Sequence, residues 1–289
     1  YAVNIFMERI YNLMNLDNFP NREIIVSAVL QDTQMDEAFV PEEATRIRVN
    51  YGDLMGKKNR DALVTVGFGP NINIMAVYSR GEDGGYTYEG KLGEFQEIDN
   101  ITIVRPEKSS MDLMLFRERS NQEIGGLERG SYIMGYENSS GGFKNVISFD
   151  ENIESWWNEG YRGGKHRWSR IIQTSKISNS EDYTTISVEK TQAYSVSEST
   201  GGVNKPSEES FFEQETRMVN EEYYWDGNYN SYLLGEKIEK KTGERVGILH
   251  DFGHSPYVLV GGDFDMYRIL RKDGTVDIVD YEALEDISY

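Results

Sequence analysis

The 289-residue sequence contains no cysteine. Disulfide bonds, thiolate metal sites and cysteine nucleophiles are therefore excluded. This absence fits an exported protein of an organism that avoids disulfides, and it equally permits a cytosolic protein. Because the sequence begins at Tyr1 rather than at Met, we expect that an N-terminal signal or lipid anchor has been removed. The predicted location is exported, either on the cell surface or extracellular.

Basic residues are scarce, since 30 Lys and Arg stand against 49 Asp and Glu, which gives a formal net charge of −19. The sequence shows no basic stripe, so nucleic acid and anionic membrane surfaces are not the expected partners. No apolar run approaches the roughly 18 to 20 residues that a membrane-spanning helix needs. Such a charge favours solubility, or alternatively the attraction of cations and basic partners.

Proline is also rare, with 6 residues against 28 glycines, a ratio that fits many tight turns. Aromatic residues are abundant, with 19 Tyr, 12 Phe and 4 Trp, and flat rings pack well on pleated sheets. Hydrophobic residues make up 38% of the chain, enough for a sizeable core. These features predict an all-β fold, either propeller-like or an antiparallel meander, with one N-terminal helix and a single β-rich domain over residues 1–289.

Periodicity places most of the secondary structure. Val3 to Leu16 has helical spacing of its apolar residues and is the predicted N-terminal helix. Glu23 to Leu30 is apolar and β-branched, which predicts a buried strand. A short helix is predicted for Asp150 to Trp157, and a short strand for Tyr257 to Val260. Asp226-Gly227, between two alternating runs, predicts a hairpin turn.

The stretch from Tyr51 to Tyr88 combines a polar loop with consecutive strands joined by short turns. The order of its landmarks recurs further along the chain, at a spacing of about 50 residues. Asp61 is matched by Asp112, and the Gly-Gly-aromatic turn ending at Tyr86 is matched by the turn ending at Phe143. These matches predict repeated β units, near residues 20–105 and 106–160, with less regular units over residues 161–289.

The loop itself reads D-L-M-G-K-K-N-R-D-A-L-V from Asp53 to Val64. It resembles the loop of FG-GAP/VCBS-type β-propeller repeats, in which alternate oxygen side chains bind calcium. Asp53, Gly56 and Asp61 match that pattern in register, whereas Met55 and Lys57 occupy expected ligand positions. Since Ca²⁺ takes six to eight oxygen ligands, we expect a degenerate loop without metal. The ammonium of Lys57 is predicted to lie between Asp53 and Asp61 instead.

Aromatic and basic residues concentrate in W-W-N-E-G-Y-R-G-G-K-H-R-W, from Trp156 to Trp168. Trp156, Trp157, Tyr161 and Trp168 are the predicted ligand-binding residues, because flat rings stack on sugars or on peptide side chains. Lys165, His166 and Arg167 would add polar contacts. The alternative is that one of the paired tryptophans belongs to the core and the other is half-exposed.

A second histidine-containing motif, His250-Asp251-x-x-His254, invites a metal interpretation, since imidazole and carboxylate are good ligands. It surrounds Phe252-Gly253 and precedes Pro256, so it is expected in a turn rather than on a helix. A structural role for these histidines is the stronger expectation. No metal site is predicted from them.

The sequence lacks the nucleophile-elbow, phosphate-loop, dinucleotide and zinc-protease motifs, and no cofactor is predicted. Catalytic residues are not assigned. The first hypothesis is an exported or cell-envelope binding or scaffold protein, without enzymatic activity, whose partner is a protein or a glycan. The alternative is a glycan-acting hydrolase that uses a carboxylate pair about 5 to 10 Å apart.

Overall fold

The computed structural model describes residues 22–35, 46–69, 72–82, 84–123, 126–200 and 204–287. The fold is all-β with antiparallel sheets and one described helix, which confirms the predicted class. The predicted helix over Val3 to Leu16 lies outside the described residues. The predicted repeats and the propeller-like arrangement stay predictions.

The chain divides into two compact units. Unit 1 contains the described residues up to Glu118 together with Met134–Val146, and unit 2 contains Arg119–Ile133 together with the chain from Ile147 onward. The division falls within three long strands, β6 (Leu113–Glu123), β7 (Gly126–Ser139) and β8 (Gly142–Arg162). Each of these strands therefore contributes residues to both units.

Unit 1 contains a four-stranded antiparallel sheet whose strands follow the order of the chain. Its strands are β1 (Arg46–Gly52), β2 (Asp61–Gly67), β3 (Asn73–Arg80) and β4 (Tyr86–Phe95). A second layer contains β5 (Glu97–Val104) followed by the unit 1 portions of β6, β7 and β8.

The central strands of unit 1 are buried on both faces, which explains their nearly continuous apolar sequences. Successive side chains of these strands point to opposite faces of the sheet. Val64 therefore packs with the helix α1 (Arg22–Thr33), and the adjacent Leu63 packs with Phe116 of the second layer. Two cores thus share β2 and β3, and period-2 alternation assigns each side chain to one of them.

The strand predicted for Glu23 to Leu30 is wrong, because these residues belong to helix α1. Ile25 and Val29 are four residues apart, and together with Leu30 they pack on the four-stranded sheet. The Thr33 hydroxyl donates to the Val29 carbonyl at 2.6 Å. Packing of one helical face on a sheet has overridden the weak strand preference of the β-branched residues.

Unit 2 contains the remainder of the long strands and a meander that continues from β8. The following strands are β9 (Lys165–Asn179), β10 (Thr185–Ser199), β11 (Phe212–Asp226) and β12 (Ser231–Leu233). The predicted turn at Asp226-Gly227 joins β11 to β12, and the Asp226 carboxylate accepts the Asn228 N–H at 2.7 Å.

A five-stranded sheet completes unit 2, in the order β16-β15-β14-β13-β17. Its strands are β13 (Gly235–Glu239), β14 (Glu244–Asp251), β15 (Met266–Leu270), β16 (Val276–Asp280) and β17 (Leu284–Glu285).

Two short elements of unit 2 differ from prediction. Asp150 to Trp157 belongs to strand β8 rather than to a helix, since its backbone pairs with β9 and polar Glu151 and Ser155 occupy buried positions among apolar ones. Pro256–Val260 is a 3-10 turn rather than a strand. Pro256 begins that turn, and the Ser255 side chain accepts the Tyr257 N–H.

In the part of the chain that the structure describes, no helix has the length and apolar character needed to cross a membrane.

Candidate functional site

The β8–β9 hairpin carries all four predicted ligand-binding aromatics, but it does not bring them onto one surface. Directly paired residues of neighbouring strands share a face of the sheet. Trp156 pairs with Arg170 and Trp157 with Ser169, so the two adjacent tryptophans point to opposite faces. We call these the Trp156 face and the Trp157 face. Tyr161 lies near the hairpin tip, 66% exposed, with its ring centroid 5.1 Å from that of His166.

A β-bulge determines which of the two adjacent tryptophans lies on the same face of the sheet as Trp168. Asn158 pairs with Trp168 and Gly160 with Arg167, which leaves Glu159 unpaired. The Asn158 side chain accepts the Gly160 N–H at 2.8 Å and so stabilises the bulge. As a result, Trp168 shares the Trp156 face, and both rings are buried together against Phe211.

The Trp157 face presents a row of side chains across four strands. The register joins Trp157 to Ser169, Ser169 to Val196, and Val196 to Phe212. With strands about 4.8 Å apart, this row is about 14 Å long. Trp157 is half-buried and Phe212 is 69% exposed, while Tyr194 lies two residues before Val196 on the same face. Three aromatic side chains therefore line one partly open surface.

Polar groups adjoin this row. The Arg167 guanidinium lies 3.1 Å from the Glu159 carboxylate, and its terminal nitrogen donates to the Tyr194 hydroxyl at 3.5 Å. The buried Ser169 hydroxyl donates to Glu159 and lies 3.2 Å from the Tyr194 oxygen. These contacts link the four side chains beside the aromatic row, although among the described residues the Arg167 Nε–H makes an ion-pair contact and no hydrogen bond of its own.

Further along the same sheet lies a buried ionic cluster. The Lys190 ammonium and a Glu221 oxygen are 2.7 Å apart, and their side chains are 2% and 0% exposed. The other Glu221 oxygen lies 3.1 Å from His254 Nδ1, and the Tyr223 hydroxyl donates to Glu221 at 3.0 Å. Burial alone would raise the pKa of Glu221, but His254 and Lys190 stabilise the carboxylate and lower that pKa to about 2.

Contacts around this cluster attach the turn that contains His254 and Ser255 to the sheet. Gln192 donates to the His254 carbonyl at 2.7 Å, and Arg217 donates to the Ser255 carbonyl at 2.5 Å. His254 Nε2 lies 3.5 Å from the Asp251 carboxylate, so both ring nitrogens face carboxylates. Because both Glu221 oxygens are engaged, the cluster acts as a structural anchor.

Two other titratable groups face this cluster. Burial raises the pKa of Asp150 despite the nearby Lys190, and burial lowers the pKa of His250. Both shifts favour the neutral forms, as expected where a side chain is removed from water.

In unit 1 the degenerate loop is closed by a cation, but the cation is Arg105. Its guanidinium lies 2.8 Å from Asp53 and 2.7 Å from Asp112. Asp61 accepts backbone N–H groups of Met55 at 2.9 Å and Arg80 at 3.0 Å, and burial raises its pKa. Lys57, predicted for the bridging role, is exposed.

Within the described ranges, no group of three or more His, Asp and Glu side chains could hold a metal ion. The sequence pattern did not identify Tyr194, Phe212, Lys190 or Glu221. Each of these residues lies on a different strand from its partners, so only the strand register brings them together.

Comparison of the chain with protein-family models, with curated proteins and with solved structures gave no match. The resemblance of Asp53 to Val64 to FG-GAP/VCBS repeats stays a prediction.

Proposed function

We propose that the protein is an exported or cell-envelope binding protein, without enzymatic activity, that binds a glycan on the Trp157 face. The observation that carries the proposal is the exposed Phe212 ring, in register with Trp157 and next to Tyr194. Aromatic rings supply flat apolar contact, while a few fixed polar groups orient a ligand. Arg167 and Glu159 provide a donor and an acceptor for sugar hydroxyls.

The hydrolase alternative requires two facing carboxylates with separate acid and base roles. Beside Trp157, the Glu159 carboxylate lies 3.1 Å from Arg167. Beside Trp156, the Glu154 carboxylate lies 2.9 Å from Arg170 and 3.3 Å from Lys205. Carboxylates paired with cations in this way favour binding over acid–base catalysis, and we therefore propose binding.

The test is a panel of neutral and anionic envelope polysaccharides, followed by titration calorimetry on any that the wild-type protein retains. Phe212→Ala is expected to weaken binding about tenfold, equal to about 1.4 kcal/mol. Met218→Ala is the matched control. Met218 is 72% exposed on the same strand, but it pairs with Thr191 and so lies on the opposite face.

Retention of no glycan by the wild-type protein would contradict the proposal. Equal loss of affinity in both variants would also contradict it, because the ligand would then not distinguish the faces. Release of new reducing ends from a retained glycan would favour the hydrolase instead.

A further inference from the structure

The Trp156 face holds an ammonium group supplied by the chain itself. The Lys205 Nζ lies 3.5 Å from the centroid of the Trp156 ring. The same nitrogen is 3.3 Å from Glu154 and 3.7 Å from Glu208. An aromatic face combined with carboxylates is the arrangement by which proteins recognise alkylammonium ligands.

Two buried donors next to this ammonium are unsatisfied. Among the described residues, neither the Trp168 indole N–H nor the Arg170 Nε–H has a hydrogen-bond partner. Trp168 is 5% exposed and packs against Trp156, and Arg170 is the cross-strand partner of Trp156. Buried donors are nearly always paired, so these two N–H groups are available to an acceptor from outside the chain.

The segment that carries Lys205 covers the site. We call residues 204–211 the strap. Phe211 packs against the two tryptophans, and the Ser210 and Ser197 hydroxyls lie 2.8 Å apart. The strap is also attached through Lys205, which pairs with Glu154, and through the Arg170 guanidinium, which lies 3.9 Å from the exposed Glu208 carboxylate and 5.5 Å from the centroid of the Phe211 ring. Removal of the strap lysine would therefore free the position 3.5 Å from the centroid of the Trp156 ring, while Phe211 and the Arg129 guanidinium, 5.8 Å from the same centroid, would stay beside it.

We propose that the Trp156 face is a binding site for a ligand with a quaternary ammonium group and an adjacent anionic group, and that Lys205 occupies the ammonium position in its absence. The ammonium would lie over Trp156 beside Glu154, and the anionic group would accept from Trp168 and Arg170. This site is independent of the proposed glycan site, because the two use opposite faces of the hairpin.

The test is titration calorimetry of tetramethylammonium and trimethylglycine against wild-type protein and Lys205→Ala. Lys205→Ala is expected to bind trimethylglycine at least tenfold more tightly than the wild type, because the internal ammonium no longer competes. Trimethylglycine should bind more tightly than tetramethylammonium, since only the former offers a carboxylate to the two free donors. Lys176→Ala, which removes an equal charge from an 80% exposed side chain, should behave as the wild type.

Trp156→Leu in the Lys205→Ala background should abolish binding, with folding checked by circular dichroism. If that double variant does not fold, Glu154→Gln in the same background should weaken binding by removing one carboxylate. A folded Lys205→Ala protein that binds neither probe overturns the proposal. Equal affinity in wild type, Lys205→Ala and Lys176→Ala overturns it as well.

Discussion

Replacing Glu221 by Gln tests whether the buried ionic cluster stabilises unit 2. The substitution preserves shape but leaves the Lys190 ammonium, 2% exposed, without its counter-charge at 2.7 Å. Removing one partner of a buried ion pair typically costs about 3 to 5 kcal/mol, because the remaining charge is buried and uncompensated. Glu221→Gln should therefore lose about 3 to 5 kcal/mol of unfolding free energy.

The assay is urea unfolding followed by tryptophan fluorescence. All four tryptophans lie in unit 2, so the signal reports that unit alone. Glu189→Gln is the matched control on the neighbouring strand β10. Its partner Lys176 is 3.7 Å away, and both side chains are largely exposed. Exposed pairs of this kind contribute about 0 to 1 kcal/mol, so the control should unfold almost as the wild type does.

A double replacement separates the cost of an unpaired charge from the worth of the pair. Lys190→Met combined with Glu221→Leu removes both charges, and it should recover most of the stability lost in the single variant. If Glu221→Gln unfolds within about 1 kcal/mol of the Glu189→Gln control, the reasoning is refuted. The same holds if the double variant is less stable than the single one.

Two further predictions concern unit 1, where hydrogen exchange of β2 and β3 peptides is the measurement. Burial raises the pKa of Glu137 from 4.5 to about 7, so its contribution is complete below pH 4.5 and is lost as pH rises through 7. Protection should fall by up to about 3 kcal/mol between these values. Glu137→Gln should remove that pH dependence, and an unchanged dependence would contradict the assignment. Arg105→Ala should expose Asp53 and Asp112 to mutual repulsion, costing about 1 to 2 kcal/mol after allowance for solvent screening. Lys57→Ala should change nothing, and equal effects of the two variants would refute the bridging role of Arg105.

The strand pattern of the chain was largely predictable because alternation is a local property. The strand Asp61–Gly67 follows from a short, nearly continuous apolar run between turn residues, and the Asp226-Gly227 turn follows from turn chemistry. Helix α1 was not predictable in this way, since a short run such as E-I-I-V-S-A-V-L is compatible with both the helical and the strand period. The packing of Ile25 and Val29 on one side of the sheet decides between them.

The candidate site was predictable only in part. The aromatic residues of the β8–β9 hairpin were identified from composition, but their faces depend on the pairing register, which no local pattern specifies. Phe212 joins Trp157 through two intervening strands, and Lys190 meets Glu221 across β10 and β11. A buried lysine resembles a solvated one in the sequence, because its counter-charge is 31 positions away in the numbering. Such contacts become visible only once the meander is assembled.

The bulge at Glu159 includes Gly160, and it determines which side chains of the hairpin lie on each of its two faces. Gly160 has a φ of +103°, a conformation that residues with a side chain adopt only at a cost. In a ladder without the bulge, Glu159 would face Trp168 and Trp157 would face Arg170. The side chains of β8 before the bulge would then exchange faces relative to β9, so that Trp157 would lie beneath the strap and Trp156 on the open side. Ligand preference could thus be exchanged between the two faces without altering any tryptophan.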